Sequence, residues 1–234
     1  MQRRTFITFV CGAATAMWPF AAITQHAGGL RRIGVLAGVA IDDPEGQART
    51  AAFLQGLEQL GWTVGRNVQI EYRWAAGSAG DHRKYALELV ALAPEVIFAA
   101  GGTSLGTLLQ VTRTVPIVFA IVPDPVGAGF VNSLSRPGGN ATGFMQFEYS
   151  LSGKWLELLK QITPSVTRAA VIRDAANPAG SAQFAAIQAV ASPLGVEVSP
   201  VNVRDAAEIE RSVTAFARSS NGGLIGRASC RERV

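Results

Sequence analysis

The chain has 234 residues, enough for one large or two small domains, and its 21 basic and 17 acidic residues give a formal net charge of +4. The positive excess lies at the two ends, in Arg3 and Arg4 and in residues 225–234, so the body between them is neutral. A neutral body without a Lys/Arg run excludes electrostatic binding of nucleic acid or anionic lipid as the basis of function. Cys11 and Cys230 also lie at the ends, so we expect no disulfide in the body.

The N-terminus has the layout of a cleaved signal peptide. Arg3 and Arg4 precede the apolar run Phe6–Phe20, and small residues follow. The Arg-Arg-x-Phe-Ile order resembles the twin-arginine export motif, with an ordinary Sec signal as the alternative. A membrane anchor is disfavoured because the run is shorter than the roughly 20 residues that span a bilayer and contains Pro19. We therefore predict a signal peptide over residues 1–27 and a periplasmic mature protein.

Short apolar runs alternate with longer helical patterns from Arg32 onward. The predicted elements of the first half are strand Ile33–Ala37, a helix from about Thr50 to Leu60, strand Val68–Trp74, a helix opened by Asp81 and ended before Pro94, strand Val96–Ala100, a helix capped by Thr103 or Ser104, and strand Ile117–Ile121. Several strands are apolar at consecutive positions, which is typical of a parallel sheet covered on both faces.

A turn-rich stretch over residues 123–140 interrupts this alternation, which resumes at Ala141. The predicted elements that follow are a strand over residues 141–144, helix Ser152–Ile162, strand Ala169–Ile172, helix Ala179–Pro193, strand Val196–Val201, helix Ala206–Arg218 and a strand that begins at Gly223. We therefore predict two α/β lobes of doubly wound parallel sheet, over residues 28–145 and 146–224, with the second lobe incomplete.

The C-terminal segment Ile225–Val234 is basic and has no apolar period. It can be reverse-translated into the opening of a common sequencing adapter. We therefore expect a non-native tail, the alternative being a solvated basic C-terminus.

Ligands of open parallel sheets bind beyond the carboxyl ends of the strands, so the residues that directly follow each strand are the candidates. Gly38, Thr103, Ser104, Asp124 and Asp174 occupy such positions. Helix N–H groups and the two hydroxyls suit a carboxylate, and the aspartates suit an ammonium. The alternative is that Thr103 and Ser104 only cap their helix and Asp124 only shapes a turn. Aromatic side chains more often pack in a core or at a lobe edge than contact a ligand, but Trp74, at the end of a strand, is a further candidate.

An enzymatic interpretation rests on Gly102–Gly106, which satisfies G-x-S-x-G between a strand and a helix. A hydrolase of that type needs a histidine after Ser104, and both histidines, His26 and His82, precede it. There is no phosphate-binding glycine motif, and the acidic residues 42–45 lack a histidine or cysteine partner. We therefore expect no enzyme, no cofactor and no metal site.

Four longer motifs resemble those of a known family. They are Arg32–Leu36, Phe53–Leu57, Pro116–Phe119 and, above all, the run from Asp124 to Gly143, DPVGAGFVNSLSRPGGNATG. The chain resembles substrate-binding components of bacterial ABC importers related to the tryptophan-binding TrpX. The resemblance implies a type I periplasmic binding fold, with a hinge between two lobes and a cleft for an amino acid or related compound. It also implies an inner-membrane permease as partner and a monomer when complete. Members of the family continue further along the second lobe.

The resemblance implies ligand-binding positions in both lobes. They are Gly38, Thr103, Ser104 and Asp124 in the first lobe and Asp174, Asn177 and Ser181 on the facing wall. The function expected on this basis is capture of a small amino-acid-like ligand for import. The alternative is a periplasmic sensing domain that signals to a partner receptor without transport.

Overall fold

The computed structural model describes residues 30–76, 78–174, 177–202 and 206–226. The predicted signal peptide and residues 227–234 lie outside the described part. Among the described helices, none has the length and apolar character needed to cross a membrane.

Strands and helices alternate along the whole described chain. The strands are β1 Arg31–Ala37, β2 Val68–Trp74, β3 Val96–Ala100, β4 Ile117–Val122, β5 Ala141–Met145, β6 Arg168–Arg173, β7 Glu197–Asn202 and β8 Gly222–Ile225. The helices are α1 Pro44–Gln59, α2 Ala79–Ala91, α3 Gly102–Val111, α4 Leu151–Ile162, α5 Pro178–Ala191 and α6 Ala206–Ala217. This order confirms the predicted α/β class.

The first sheet contains five parallel strands in the order β2-β1-β3-β4-β5. From β1 the chain passes through α1 to β2 on one side, whereas from β3 it passes through α3 to β4 on the other. The direction of winding therefore reverses between β1 and β3. In an open α/β sheet, the crevice beyond the carboxyl ends of two such strands is where ligands bind.

The second sheet contains three parallel strands within the described residues, in the order β7-β6-β8. Its core includes Leu156, Ala169, Phe184 and Ile187, with α4 packed against α5. The predicted tail begins at Ile225, but Ile225 is the last residue of β8 and is buried in this core.

Helix α1 begins at Pro44, six residues before the predicted start near Thr50. Asp43 is its N-cap, and the Gly46 N–H donates to Asp43 Oδ1 at 2.6 Å. Proline at the first helical position loses no hydrogen bond, so Asp-Pro is a strong start signal. The apolar period that guided the prediction becomes visible only further along the helix.

The N-termini of α2 and α3 also differ from the prediction. Ser78, not Asp81, caps α2, and its hydroxyl accepts from the Asp81 N–H at 3.3 Å. Helix α3 is preceded by Gly101, with φ 100°, and no side chain caps it. The prediction that Thr103 or Ser104 caps α3 is therefore wrong, because both residues lie inside the helix.

Candidate functional site

A cavity of about 540 Å³ lies where the winding of the first sheet reverses. Its lining includes Gly38 after β1 and the Gly101–Ser104 turn after β3, together with Asp174 and Asn177 from the second lobe. Of the seven predicted ligand-binding residues, the cavity brings five together, and they are Gly38, Thr103, Ser104, Asp174 and Asn177. Residues from both lobes therefore share one cavity.

The N-terminus of α3 opens into this cavity. Gly102, Thr103 and Ser104 form its first turn, and all three line the cavity. The first N–H groups of an α-helix have no intrahelical acceptor, and here no side chain caps them. The glycine at position 101 permits the left-handed backbone that turns the chain from β3 into α3. Uncapped N–H groups and the helix dipole make this turn suitable for an anionic group.

Two buried polar atoms lie beside this helix start. His82 is 1% exposed and Ser104 is 0% exposed, and His82 Nε2 and Ser104 Oγ make no hydrogen bond with the described residues. A Cβ built on Gly38 would lie 3.3 Å from His82 Nε2 and 3.9 Å from Ser104 Oγ. Elements distant in sequence thus place one imidazole and one hydroxyl around Gly38.

Aromatic side chains form another part of the lining. The Phe53 ring, from α1, stacks on Phe98 of β3 with 5.0 Å between centroids, and Tyr72 stacks on Trp74 at 6.0 Å. The Tyr72 hydroxyl is buried without a hydrogen-bond partner in the described part, and burial raises the pKa of Tyr72. Flat aromatic faces of this kind suit a planar apolar group.

The second lobe contributes a polar wall. Asn177 caps α5, with the Ala179 N–H donating to Asn177 Oδ1 at 3.0 Å, and Asp174 directly follows β6. Both residues are exposed, and both also line an adjoining cavity of about 500 Å³. Ser181 lies one turn into α5, is exposed, and is not part of the lining of either cavity.

The model of one protein family, described as ABC transporter substrate binding protein, matches residues 32–228. The chain belongs to this family. Its members bind solutes and are not enzymes, so the G-x-S-x-G match at Gly102–Gly106 does not mark a nucleophile.

Several known proteins are similar to this substrate-binding protein. A tyrosine-binding protein of Clostridioides difficile (strain R20291) is 26% identical over 176 residues, which cover 75% of this chain and 50% of that one. A crystal structure of an ABC domain from Streptococcus pneumonia in complex with L-Trp superimposes with a TM-score of 0.73 at 23% identity. The match covers 86% of this chain and 66% of the Streptococcus chain. The crystal structure of a conserved domain protein from Vibrio cholerae O1 gives a TM-score of 0.71 at 27% identity, and the match covers 80% of this chain and 62% of the Vibrio chain.

These comparisons confirm the type I periplasmic binding fold that the sequence motifs imply. The chain spans about half the length of the curated relative that it matches. It spans a little under two thirds of the Vibrio cholerae protein, at 62%.

Asp124 does not line the cavity of this substrate-binding protein. Its carboxylate accepts from the Gly127 N–H at 2.7 Å and from the Tyr149 N–H at 3.2 Å. Its own N–H donates to the Phe147 carbonyl at 2.8 Å. Desolvation and, to a smaller extent, the Asp124 charge raise the pKa of Tyr149. In this structure Asp124 therefore shapes a turn and ties it to the segment that enters the second lobe, which is the alternative weighed from the sequence.

Next to this turn, β4 carries a strained residue. Ile121 has φ 61°, and the pairing of β4 with β5 shifts register between Phe119 and Val122. A β-branched residue in the left-handed region is a genuine outlier, and such strain is common at ligand sites. Ile121 lines the cavity, and the Gln146 N–H donates to the Val122 carbonyl at 2.9 Å. The irregularity therefore lies beside Gln146, where the chain leaves the first sheet for the second lobe.

Sequence reasoning missed several lining residues, among them Phe53, His82 and Phe98, and it assigned Tyr72 to packing. Each of these four lies inside a helix or strand, whereas most of the predicted site residues lie within a few positions of a strand end. The mid-strand aromatics could have been noticed from the strand pattern alone, but nothing local marks His82.

Within the described residues no group of three or more His, Cys, Asp or Glu side chains could hold a metal ion.

Proposed function

We propose that the protein is the extracytoplasmic solute-binding component of an ABC importer and that it binds an aromatic amino acid between its lobes. The observation that carries this proposal is the cavity shared by both lobes, with an uncapped helix N-terminus and stacked aromatic rings in one lining. In this reading the signal over residues 1–27 directs export and is then removed.

The α3 N-terminus is the proposed site for the ligand carboxylate. The N–H groups of Gly102 and Thr103 and the Thr103 side chain lie in the first turn, where the helix dipole favours negative charge. Arg49 adds positive charge to the lining, although it forms an ion pair with Glu45 on α1. A carboxylate bound there gains charge-assisted hydrogen bonds of about 1.5–3 kcal/mol each.

The aromatic lining is the proposed site for the ligand side chain. Phe53, Phe98, Tyr72 and Trp74 offer ring faces, and an aromatic pair is worth about 0.5–1.5 kcal/mol beyond the area that it buries. The names of two similar proteins, a tyrosine-binding protein and a structure with L-Trp, support this ligand class.

Contacts from both lobes are what couples binding to closure. Asp174 and Asn177 face the cavity from the second lobe, while the carboxylate and ring sites belong to the first. A ligand stabilises the closed form only by interactions that are absent from the open form. The closed, loaded protein is then the form that a membrane permease would recognise.

Thermal unfolding with each of the twenty amino acids tests the ligand class. L-Tryptophan or L-tyrosine at a hundred times its dissociation constant should stabilise the protein by about 2.7 kcal/mol and raise the Tm accordingly. Isothermal titration calorimetry then gives the stoichiometry, expected to be one. If no amino acid raises the Tm, the proposed ligand class is wrong.

Uptake of the radiolabelled ligand separates import from sensing. Cells that lack the gene should lose high-affinity uptake and regain it with the wild-type gene. Normal uptake together with a lost transcriptional or chemotactic response would favour the sensing alternative.

A further inference from the structure

His82 Nε2 and Ser104 Oγ are buried polar atoms at the ligand cavity, and neither forms a hydrogen bond with the described residues. Leaving such a group unsatisfied costs about 1–3 kcal/mol. Native proteins keep groups of this kind where a ligand or an ordered water supplies the missing bond. The pair therefore indicates a polar contact that the polypeptide does not provide.

The hydrogen-bond partner of the other ring nitrogen defines what His82 offers. Its Nδ1 lies 2.7 Å from the Ser78 carbonyl oxygen. A carbonyl can only accept, so Nδ1 carries the hydrogen, and in the neutral form of the ring Nε2 presents a lone pair. The Ser104 hydroxyl has two acceptor lone pairs of its own. Both atoms can therefore accept from one and the same donor group.

Gly38 is what lets both side chains lie this close to the end of β1. A Cβ there would lie 3.3 Å from His82 Nε2, closer than nine in ten Cβ contacts. The Gly38 backbone is not in the left-handed region, so its conformation does not demand glycine. The lack of a side chain, not the backbone angle, is therefore the feature that matters at this position.

We propose that His82 Nε2 and Ser104 Oγ form the subsite for the amino group of the ligand. This inference rests on the proposed function, since it takes the ligand to be an amino acid. The amino and carboxylate groups of an amino acid share one carbon, so their sites must be adjacent, and Ser104 lies in the same turn as the carboxylate site. The acidic Asp174 adds negative charge to the cavity from the second lobe.

The assignment gives His82 and Ser104 the role that the sequence had given to Asp124 and Asp174. The Asp124 carboxylate is already engaged by Gly127 and Tyr149 and lies outside the cavity lining. An ordered water between His82 and Ser104 is the competing explanation, because it would also satisfy both atoms. In that case the pair would contribute to stability and would not distinguish ligands by their amino group.

Calorimetry with matched ligand pairs tests the proposal. L-Tryptophan is compared with 3-indolepropionate, and L-tyrosine with 3-(4-hydroxyphenyl)propionate, which are the same molecules without the amino group. His82→Phe removes the acceptor and keeps a ring in place. We expect it to weaken binding of the amino acid at least tenfold and to change binding of the desamino analogue less than twofold. Ser104→Ala should act in the same direction.

Gly38→Ala keeps the test decisive should His82→Phe fail to fold. The new methyl group lies close to both acceptors. We therefore expect the affinity for the amino acid to fall at least tenfold and the affinity for the desamino analogue to fall less. Gly56→Ala is the matched control, because Gly56 lies in α1 with nothing within 4 Å of the position that a Cβ would take, and it is not part of the cavity lining. It should leave both affinities unchanged.

The outcomes separate this inference from the function on which it rests. Suppose that the wild type binds the amino acid while His82→Phe and Gly38→Ala lose affinity for the amino acid and the analogue equally, or lose none. Either result would overturn the amino-group subsite alone. A variant that only unfolds at lower temperature, with unchanged discrimination, would identify a structural water and also overturn it. Failure of the wild type to bind any amino acid would overturn the proposed function and this subsite together.

Discussion

Ala93 follows the end of α2 and has a left-handed backbone, with φ 48°. Its N–H donates to the Val90 carbonyl at 3.0 Å, so the residue closes the last turn of the helix. This is the position where helices most often carry glycine, because a Cβ is unfavourable there. Ala93 is exposed, so no packing contact in a core compensates for that cost.

Ala93→Gly should therefore raise the free energy of unfolding by about 1 kcal/mol. Ala91→Gly is the matched control, because Ala91 is also exposed but is the last helical residue of α2, and glycine there should destabilise by about 0.5–1 kcal/mol. Urea unfolding of both variants measures the two values. The same sign for both would show that backbone strain at Ala93 is negligible.

Tyr72 carries a buried hydroxyl without a hydrogen-bond partner in the described part, and its pKa is raised by desolvation. Tyr72→Phe removes the unsatisfied group and should stabilise the ligand-free protein by about 1 kcal/mol near neutral pH. Because the pKa of Tyr72 is raised in the folded state, its hydroxyl loses the proton at lower pH in the unfolded chain. The contribution of this shift to the free energy of unfolding is therefore fully present below pH 10 and is lost as the pH rises above it. Unfolding at pH 8 and pH 11 should show a smaller alkaline loss in Tyr72→Phe than in the wild type.

At the scale of elements, the pairing of β4 with β5 leaves no room for a side chain at Gly143. A Cβ there would collide with the Phe119 carbonyl oxygen and lie 2.7 Å from the Phe119 nitrogen. Both are backbone atoms of the neighbouring strand, so no rotamer change relieves the contact. The strand pair that precedes the second lobe therefore depends on this glycine.

Gly143→Ala should lower the free energy of unfolding by about 2–3 kcal/mol, because the strands must separate to admit the methyl group. Gly139→Ala is the control, since nothing lies within 4 Å of the Cβ position at Gly139 and its backbone is not left-handed. Chemical denaturation followed by circular dichroism gives both values. Equal stability of the two variants would show that the β4–β5 pair is not formed as described.

At the scale of the whole molecule, two separate sheets contribute to one cavity. The first sheet supplies the helix N-terminus and the aromatic rings, and the second supplies Asp174 and Asn177. The backbone that joins them is residues 146–150, between β5 and α4, and it is hydrogen-bonded to the end of β4 at Val122 and to the turn at Asp124. These few residues are where rotation of one lobe against the other would be absorbed.

Ligand binding should therefore make the protein more compact. Small-angle X-ray scattering should show a smaller radius of gyration with saturating L-tryptophan or L-tyrosine than without it. Gly38→Ala serves as the control, because its weaker binding should give a smaller change in radius at the ligand concentration that just saturates the wild type. A saturated wild type with an unchanged radius would contradict closure between lobes.

Local pattern was sufficient for most elements. Strands β2 and β3 have the bounds that the sequence predicted, Val68–Trp74 and Val96–Ala100, because β2 alternates β-favouring with polar residues and β3 is a short apolar run, each with helix signals on both sides. Helix starts were less accurate. Caps at Asp43, Ser78 and Gly101 depend on side-chain hydrogen bonds and on one backbone angle, which periodicity does not report.

The sequence by itself determined the α/β alternation, the family and the edge of the first sheet at which the cavity lies, since all three follow from residues that are close in sequence. Only the tertiary structure decided which side chains share the cavity. His82 and Ser104 come from different helices and meet around Gly38, while Asp124 is drawn away by Gly127 and Tyr149. The physical reason is that strand order and helix packing bring distant segments together, and hydrogen bonds made in the folded state determine which polar atoms remain for a ligand.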